Sequence, residues 1–174
     1  NIDQSKVTKV GWGPIGLNLL DEDITVNEDQ PTVLFVGNEF HRKGVDFLRA
    51  AVDVVAKEVP DVLFMIVGAN VDQLTLAPHP NFRLLGKIKD SEQMKKLYRQ
   101  SWLITQPHRF DRSPHVLIES MSAGKPIITS QQGAAPEVVR HNENGFVVEI
   151  GDISSLAQHI LSLLKDKEMR IRFG

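Results

Sequence analysis

The chain contains no cysteine. Disulfides, thiolate metal ligands and cysteine nucleophiles are therefore excluded, and the absence fits the cytoplasm, the expected location. Also missing is any run of the roughly 18 apolar residues that a membrane-spanning helix needs. The longest apolar run, Val62 to Val67, has only the length of a strand. Nor is there an excess of positive charge, since 20 Lys and Arg stand against 22 Asp and Glu for a net charge of -2. A surface that coats nucleic acid needs a basic excess, so no nucleic-acid partner is expected. A small pocket with two or three cations stays compatible with that balance. No charged-then-apolar leader opens the sequence, which begins at Asn1. Both ends read as the cut edges of one domain within a longer chain.

What is present is an ordinary globular composition, with 41% hydrophobic and 24% charged residues over 174 positions. That is enough for one domain with its own core. Residues 1–30 are irregular and read as a linker or edge segment. Within them Gly11-Trp12-Gly13-Pro14-Ile15-Gly16 has the G-x-G-x-x-G spacing of a dinucleotide loop. Pro14 interrupts it, and the acidic stretch that follows has no apolar face, so a glycine-rich connection is the better reading.

From Thr32 a regular rhythm begins. Apolar strands are expected at 32–36, 62–67, 82–85, 102–105, 126–129 and 146–150, the first three each closed by a glycine. Between them, Val45, Leu48, Val52 and Val55 predict a one-faced helix over 43–58. Asp90 with Gln93 predicts a capped helix carrying Met94, Leu97 and Tyr98. A helix over 116–123 is stopped by Gly124, a short one spans 136–140, and Asp152 caps a last one carrying Ile153, Leu156, Ile160 and Leu163 inward. Strands that are apolar throughout, alternating with helices, predict an α/β fold. The expected form is a Rossmann-like, doubly wound, mostly parallel sheet of about six strands with helices on both faces. In such sheets ligands lie beyond the carboxyl ends of the strands.

Three segments fall at those ends. In Gly37-Asn38-Glu39-Phe40-His41-Arg42-Lys43-Gly44, the glycines permit close backbone approach. Arg42 and Lys43 read either as solvated charges or as cations kept for an anion. At the start of a helix cations cost roughly 0.3–1 kcal/mol each, and an anion bound between them would offset that. In the segment from Arg109 to Glu119, Pro114 suits a first helical position. The free N–H groups of His115 and Val116 would then face the crevice and could hold a phosphate. Glu119 reads as a solvent-facing helix charge or as an acceptor for a diol such as ribose, and Asp111 as a turn residue or a site acid. The third segment, Ser130 to Glu137, suits a ligand contact and equally any strand-to-helix connection. Of the six histidines, His115 and His108 lie nearest the expected crevice.

In this order, these segments resemble the C-terminal, donor-binding domain of GT-B-fold retaining glycosyltransferases of family 4, the "group 1" transferases. The stretch DRSPHVLIESMSAG (111–124) is similar to the family's E-x7-E element and its helix, and KPIITS, GAAPEVV and NGFVV follow as they do there. FVGNEFHRKGVDFL is similar to the family's glycine-basic-lysine-glycine segment. The resemblance covers about residues 30 to 174. It implies that Lys43 contacts the donor diphosphate, with Arg42 as second cation, because Asn38 stands where many members carry arginine. It implies that Glu119 binds the ribose hydroxyls and that Asp111, in place of the family's first glutamate, touches the transferred sugar. Pro114, His115 and Val116 would meet the phosphates, Gly86, Lys87 and Ile88 would line the base pocket, and Gly37 and Asn38 would also contact the donor.

The implied reaction moves a sugar from a nucleoside-diphosphate donor to an acceptor hydroxyl with retention, without a bound metal or other cofactor. The implied partners are the nucleotide-sugar donor and an N-terminal acceptor domain outside this sequence. Membrane contact would come only through that domain, and this domain alone would be inactive. A sugar-nucleotide epimerase of the same fold and a non-catalytic nucleotide-sugar-binding module are the rival readings.

Overall fold

The computed structural model describes residues 28–68, 78–111 and 115–174. Residues 1–27, with the Gly11–Gly16 stretch and most of the expected linker, lie outside them, as do Arg112, Ser113 and Pro114.

The described residues form six strands: β1 (Thr32–Val36), β2 (Leu63–Val67), β3 (Phe82–Gly86), β4 (Leu103–Gln106), β5 (Ile127–Ser130) and β6 (Gly145–Val148). They make one sheet in the order β3-β2-β1-β4-β5-β6. Every pairing is parallel, with Thr32 opposite Leu63 and Val33 opposite Leu103 on the two sides of β1. Seven helices connect and flank them: α1 (Phe40–Lys43), α2 (Val45–Glu58), α3 (Ser91–Gln100), α4 (His115–Ser122), α5 (Ala135–Val138), α6 (Ile153–Lys165) and α7 (Lys167–Phe173). The doubly wound fold expected from the sequence is the fold observed.

The strands are apolar on both faces because both faces are covered. On one, Val33, Phe35, Phe64, Ile66 and Leu103 pack under α2 and α6, whose Leu48, Val52, Val55, Leu156 and Ile160 are fully or almost fully buried. On the other, Leu34, Met65, Val67 and Ile104 alternate with the first set and meet Tyr98 of α3. Leu117 of α4 and Ala135 of α5 close the same face beside Ile127. Buried aliphatic side chains of this size each stabilise the fold by roughly 1.5–3 kcal/mol.

The helix expected over 43–58 begins only at Val45, behind the separate short helix α1, and this corrects the premise about its cations. Gly44 takes φ 77°, ends α1 and opens α2. Arg42 and Lys43 thus sit in the last turn of a short helix, where basic residues are favoured, and not in the first turn of a long one. The break is fixed from elsewhere in the chain, for a β-carbon on Gly44 would lie 1.9 Å from the carbonyl oxygen of Pro107. Other helix starts follow side-chain caps. Asp90 accepts from the Gln93 N–H at 2.9 Å and Asp152 from the Ser155 N–H at 2.9 Å. The chain's last helical region also divides, because Asp166 accepts from the Met169 N–H at 2.8 Å and opens α7.

Candidate functional site

Chain connections run outward from β1 in opposite directions along the sheet, through β2 to one side and β4 to the other. Loops leaving the carboxyl ends of β1 and β4 therefore part, and ligands of doubly wound sheets lie at such a switch point. Here the opening is a cleft of about 560 Å³. Its floor is backbone, because Gly68 has no side chain and so approaches the Gly37 carbonyl closely; a β-carbon there would sit 1.7 Å from that oxygen.

The cleft gathers residues from four strand ends. Gly37, Asn38, Arg42 and Lys43 come from the segment after β1, and Lys87 and Ile88 follow β3. Asp111 comes from the loop after β4, and His115, Val116 and Glu119 from the first turns of α4. Gly86 ends β3 and its carbonyl accepts from the Gly68 N–H at 2.9 Å. Of the site residues expected from the sequence, Pro114 lies outside the described residues and the rest lie in or beside this cleft.

In the cationic corner, the Lys43 ammonium contacts the Asp111 carboxylate directly. Asp111 is nearly buried, and Arg42 Nη1 stands 3.8 Å from its other oxygen. The Arg42 guanidinium forks onto the Glu39 carboxylate, with Nε and Nη2 donating at 2.9 and 2.8 Å, and Nη1 donates to the Phe110 carbonyl at 2.8 Å. That fork holds the Glu39 carboxyl below its usual range and the guanidinium above its own. Two cations and two carboxylates thus sit together with their charges matched, at the rim of an open cleft.

Glu119 is half-buried at the cleft wall, and its Oε2 accepts from the Tyr98 hydroxyl at 2.6 Å. Tyr98 is wholly buried in α3. Burial first, and the Glu119 charge with its hydrogen bond second, push the phenol well above its usual range, so it stays a donor. His108 is not in the cleft. It is buried behind the Asp111 loop with Nδ1 2.9 Å from the Gln106 carbonyl, and burial lowers its pKa. The imidazole is therefore kept neutral.

Several supports of the site escaped the sequence reading. Arg109 forks onto Asp46 of α2 at 2.7 and 2.6 Å and lies 3.8 Å over the Phe47 ring. Its backbone N–H also donates to the Arg42 carbonyl at 2.9 Å. Burial would raise the Asp46 carboxyl, but the guanidinium overrides it and leaves the group below its usual value. This clamp ties the loop bearing Asp111 to the segment bearing Lys43. From the third segment Gln132 contributes its side-chain carbonyl, which accepts from the Asp111 N–H at 3.0 Å. Partners 63 and 21 residues apart leave no trace in local spacing. The one available signal was Tyr98 itself, a hydroxyl set in an apolar stripe.

Residues 18–174 match the family described as glycosyl transferases group 1. The chain belongs to the group 1 glycosyltransferases. It is 31% identical over 147 residues to a phosphatidyl-myo-inositol mannosyltransferase of Mycolicibacterium smegmatis, covering 80% of this chain and 37% of that protein. An N-acetyl-alpha-D-glucosaminyl L-malate synthase of Bacillus anthracis is 26% identical over 162 residues, covering 89% of this chain and 42% of that protein. The chain spans less than half the length of either relative. Among solved structures, the C-terminal domain of a group 1 family glycosyl transferase from Francisella tularensis superposes with a TM-score of 0.73 at 21% identity. That match covers 84% of this chain and 83% of that one. A sucrose-phosphate synthase from Thermosynechococcus elongatus superposes with a TM-score of 0.72 at 26% identity, covering 83% of this chain and 39% of that one. The group 1 chain thus has the Rossmann-like architecture of a GT-B glycosyltransferase domain. No helix among the described residues is long and apolar enough to cross a membrane.

Proposed function

We propose that the cleft takes a nucleoside-diphosphate sugar and is the donor half of a retaining glycosyltransferase. An N-terminal domain outside this chain would supply the acceptor. The observation that carries this reading is the meeting of Arg42, Lys43, Asp111 and Glu119 in one cleft at the β1–β4 switch point of a group 1 chain.

In the proposed complex the diphosphate lies against Arg42 and Lys43, with the N–H groups of His115 and Val116 at the start of α4 facing it. Phosphate oxygens replace Glu39 and Asp111 as partners of the two cations, so the site binds an anion by exchange of ion pairs. Asp111, released from Lys43, turns to the sugar. Glu119 accepts from the ribose diol, and Lys87 and Ile88 flank the base. As the bond from the anomeric carbon to the β-phosphate oxygen breaks, negative charge grows on the leaving diphosphate. Cations already oriented there stabilise that charge more than the ground state. The acceptor oxygen forms the new bond to the anomeric carbon and gives up its proton to the departing diphosphate. This arrangement assigns charge neutralisation to protein groups and calls on no resident metal.

Calorimetry of the chain with UDP, GDP and ADP at millimolar concentration tests the binding half. Saturable heat with at least one of them is expected, and heat with none overturns the reading. The isolated chain is expected to transfer no sugar.

A further inference from the structure

We infer that Tyr98 is a positioning residue, whose buried hydroxyl holds the Glu119 carboxylate in place for the ribose diol of the nucleotide. The inference rests on the donor-binding reading above and deepens it. Tyr98 is fully buried among Leu34, Met65, Val67, Ile104 and Ala123. In such surroundings a hydroxyl costs stability unless it is hydrogen-bonded, and phenylalanine would fill nearly the same space without that cost. The bond it makes runs to Glu119 Oε2 at 2.6 Å, and Glu119 lines the cleft. The hydroxyl thus reaches from the core to the back of a carboxylate whose front is open to ligand.

A glutamate on a helix has three side-chain torsions, and an unanchored one samples many rotamers. Donation from Tyr98 fixes one oxygen and leaves the other to accept from a diol. A charge-assisted bond of this kind is among the stronger ones, and the high phenol pKa keeps its proton in place over the working range. Tyr98 lies on α3 and Glu119 on α4, so the same bond ties together two walls of the cleft.

The test compares each ribonucleoside diphosphate that binds with its 2′,3′-dideoxy form, on the chain and on its Tyr98→Phe variant. The expected result is that Tyr98→Phe weakens ribonucleotide binding about tenfold. The dideoxy form, which lacks the diol, should bind both proteins alike. Equal loss for both nucleotides would make Tyr98 a packing residue only, and no loss for either would remove it from the site. Binding of no ribonucleotide by the unaltered chain would instead overturn the parent reading. A second readout survives a variant that fails to fold. Tyr98 is the single tyrosine of the chain, so 3-fluorotyrosine labelling gives one ¹⁹F resonance. That resonance should move on adding the ribonucleotide and stay in place with the dideoxy form. A resonance indifferent to both overturns the inference.

Discussion

The two edges of the sheet both gather cations, and they use them differently. At the carboxyl edge, Arg42 and Lys43 pair with Glu39 and Asp111 at the rim of an open cleft. At the opposite edge, Lys125 is 2% exposed, and its ammonium donates to the Arg99 carbonyl at the end of α3 at 2.6 Å. Nearby, Arg170 stacks 4.0 Å over Trp102 and donates to the carbonyls of Leu163 and Leu164 at 2.6 and 3.0 Å. These lower cations are bonded to backbone at helix ends, where the peptide dipoles favour them. Their partners are helix carbonyls, which cannot turn away as a side chain can. The upper ones, apart from one bond from Arg42 to the Phe110 carbonyl, are bonded to carboxylate side chains that can turn away, which an anion-binding site requires. The difference separates cations fixed on backbone from charge available for binding.

The largest effect that would sharpen this contrast is Lys43→Ala in the full-length protein. Loss of an electrostatic contact to the leaving diphosphate is expected to cut turnover about 10²–10³-fold, or ~3–4 kcal/mol. The melting temperature should move much less, because the Asp111 carboxylate keeps Arg42 beside it. Near-normal turnover would take Lys43 out of the chemistry and erase the distinction between the edges. Next comes Gly44→Ala. A left-handed backbone costs an alanine roughly 1–2 kcal/mol, and its β-carbon would meet the Pro107 oxygen at 1.9 Å. A loss of about 2 kcal/mol or more in urea unfolding is expected, with weaker nucleotide binding because Lys43 is the preceding residue. A loss below about 0.5 kcal/mol would mean that the loop yields and the upper edge is not built on this contact.

Much of the upper edge was legible in the sequence because buried parallel strands are continuous apolar runs. Strand β4 is expected at 102–105 and found at Leu103–Gln106, and β6 at 146–150 and found at Gly145–Val148. Caps at Asp90 and Asp152 were legible for the same local reason. The break at Gly44 was not, since Val45, Leu48 and Val52 keep helical spacing on one side of it while its cause, Pro107, lies in another loop. The charges at 42, 43, 111 and 119 could be named from strand ends and the family resemblance. Their partners could not, because the Arg109–Asp46 clamp and the Tyr98–Glu119 bond depend on tertiary contact. The lower edge was invisible altogether, as nothing in the sequence around Lys125 marks a buried amine.

That lower amine gives the smallest and most particular prediction. Burial lowers the Lys125 pKa from 10.5 to about 8, against a weaker opposing pull from the Glu28 charge. Between those two values the unfolded chain holds a proton that the folded chain has released. Stability therefore rises with pH through this window. The penalty for the buried charge is in full force below pH 8 and is relieved as the pH climbs towards 10.5. A slope of up to about 1.4 kcal/mol per pH unit is expected from this one group. Tyr98 acts in the other sense, since its folded pKa is raised and stability falls with its ionisation above the usual tyrosine range, so the measurement stops at pH 10. Lys125→Met keeps most of the apolar stem of the side chain and removes the titration. Urea unfolding at pH 7.5, 8.5 and 9.5 should give a rising curve for the unaltered chain and a flatter one for the variant, with nucleotide binding unchanged. Parallel curves would mean that the Lys125 amine keeps its ordinary pKa. A shift in nucleotide affinity would mean that the two edges are coupled, and the separation of binding charge from structural charge would fail.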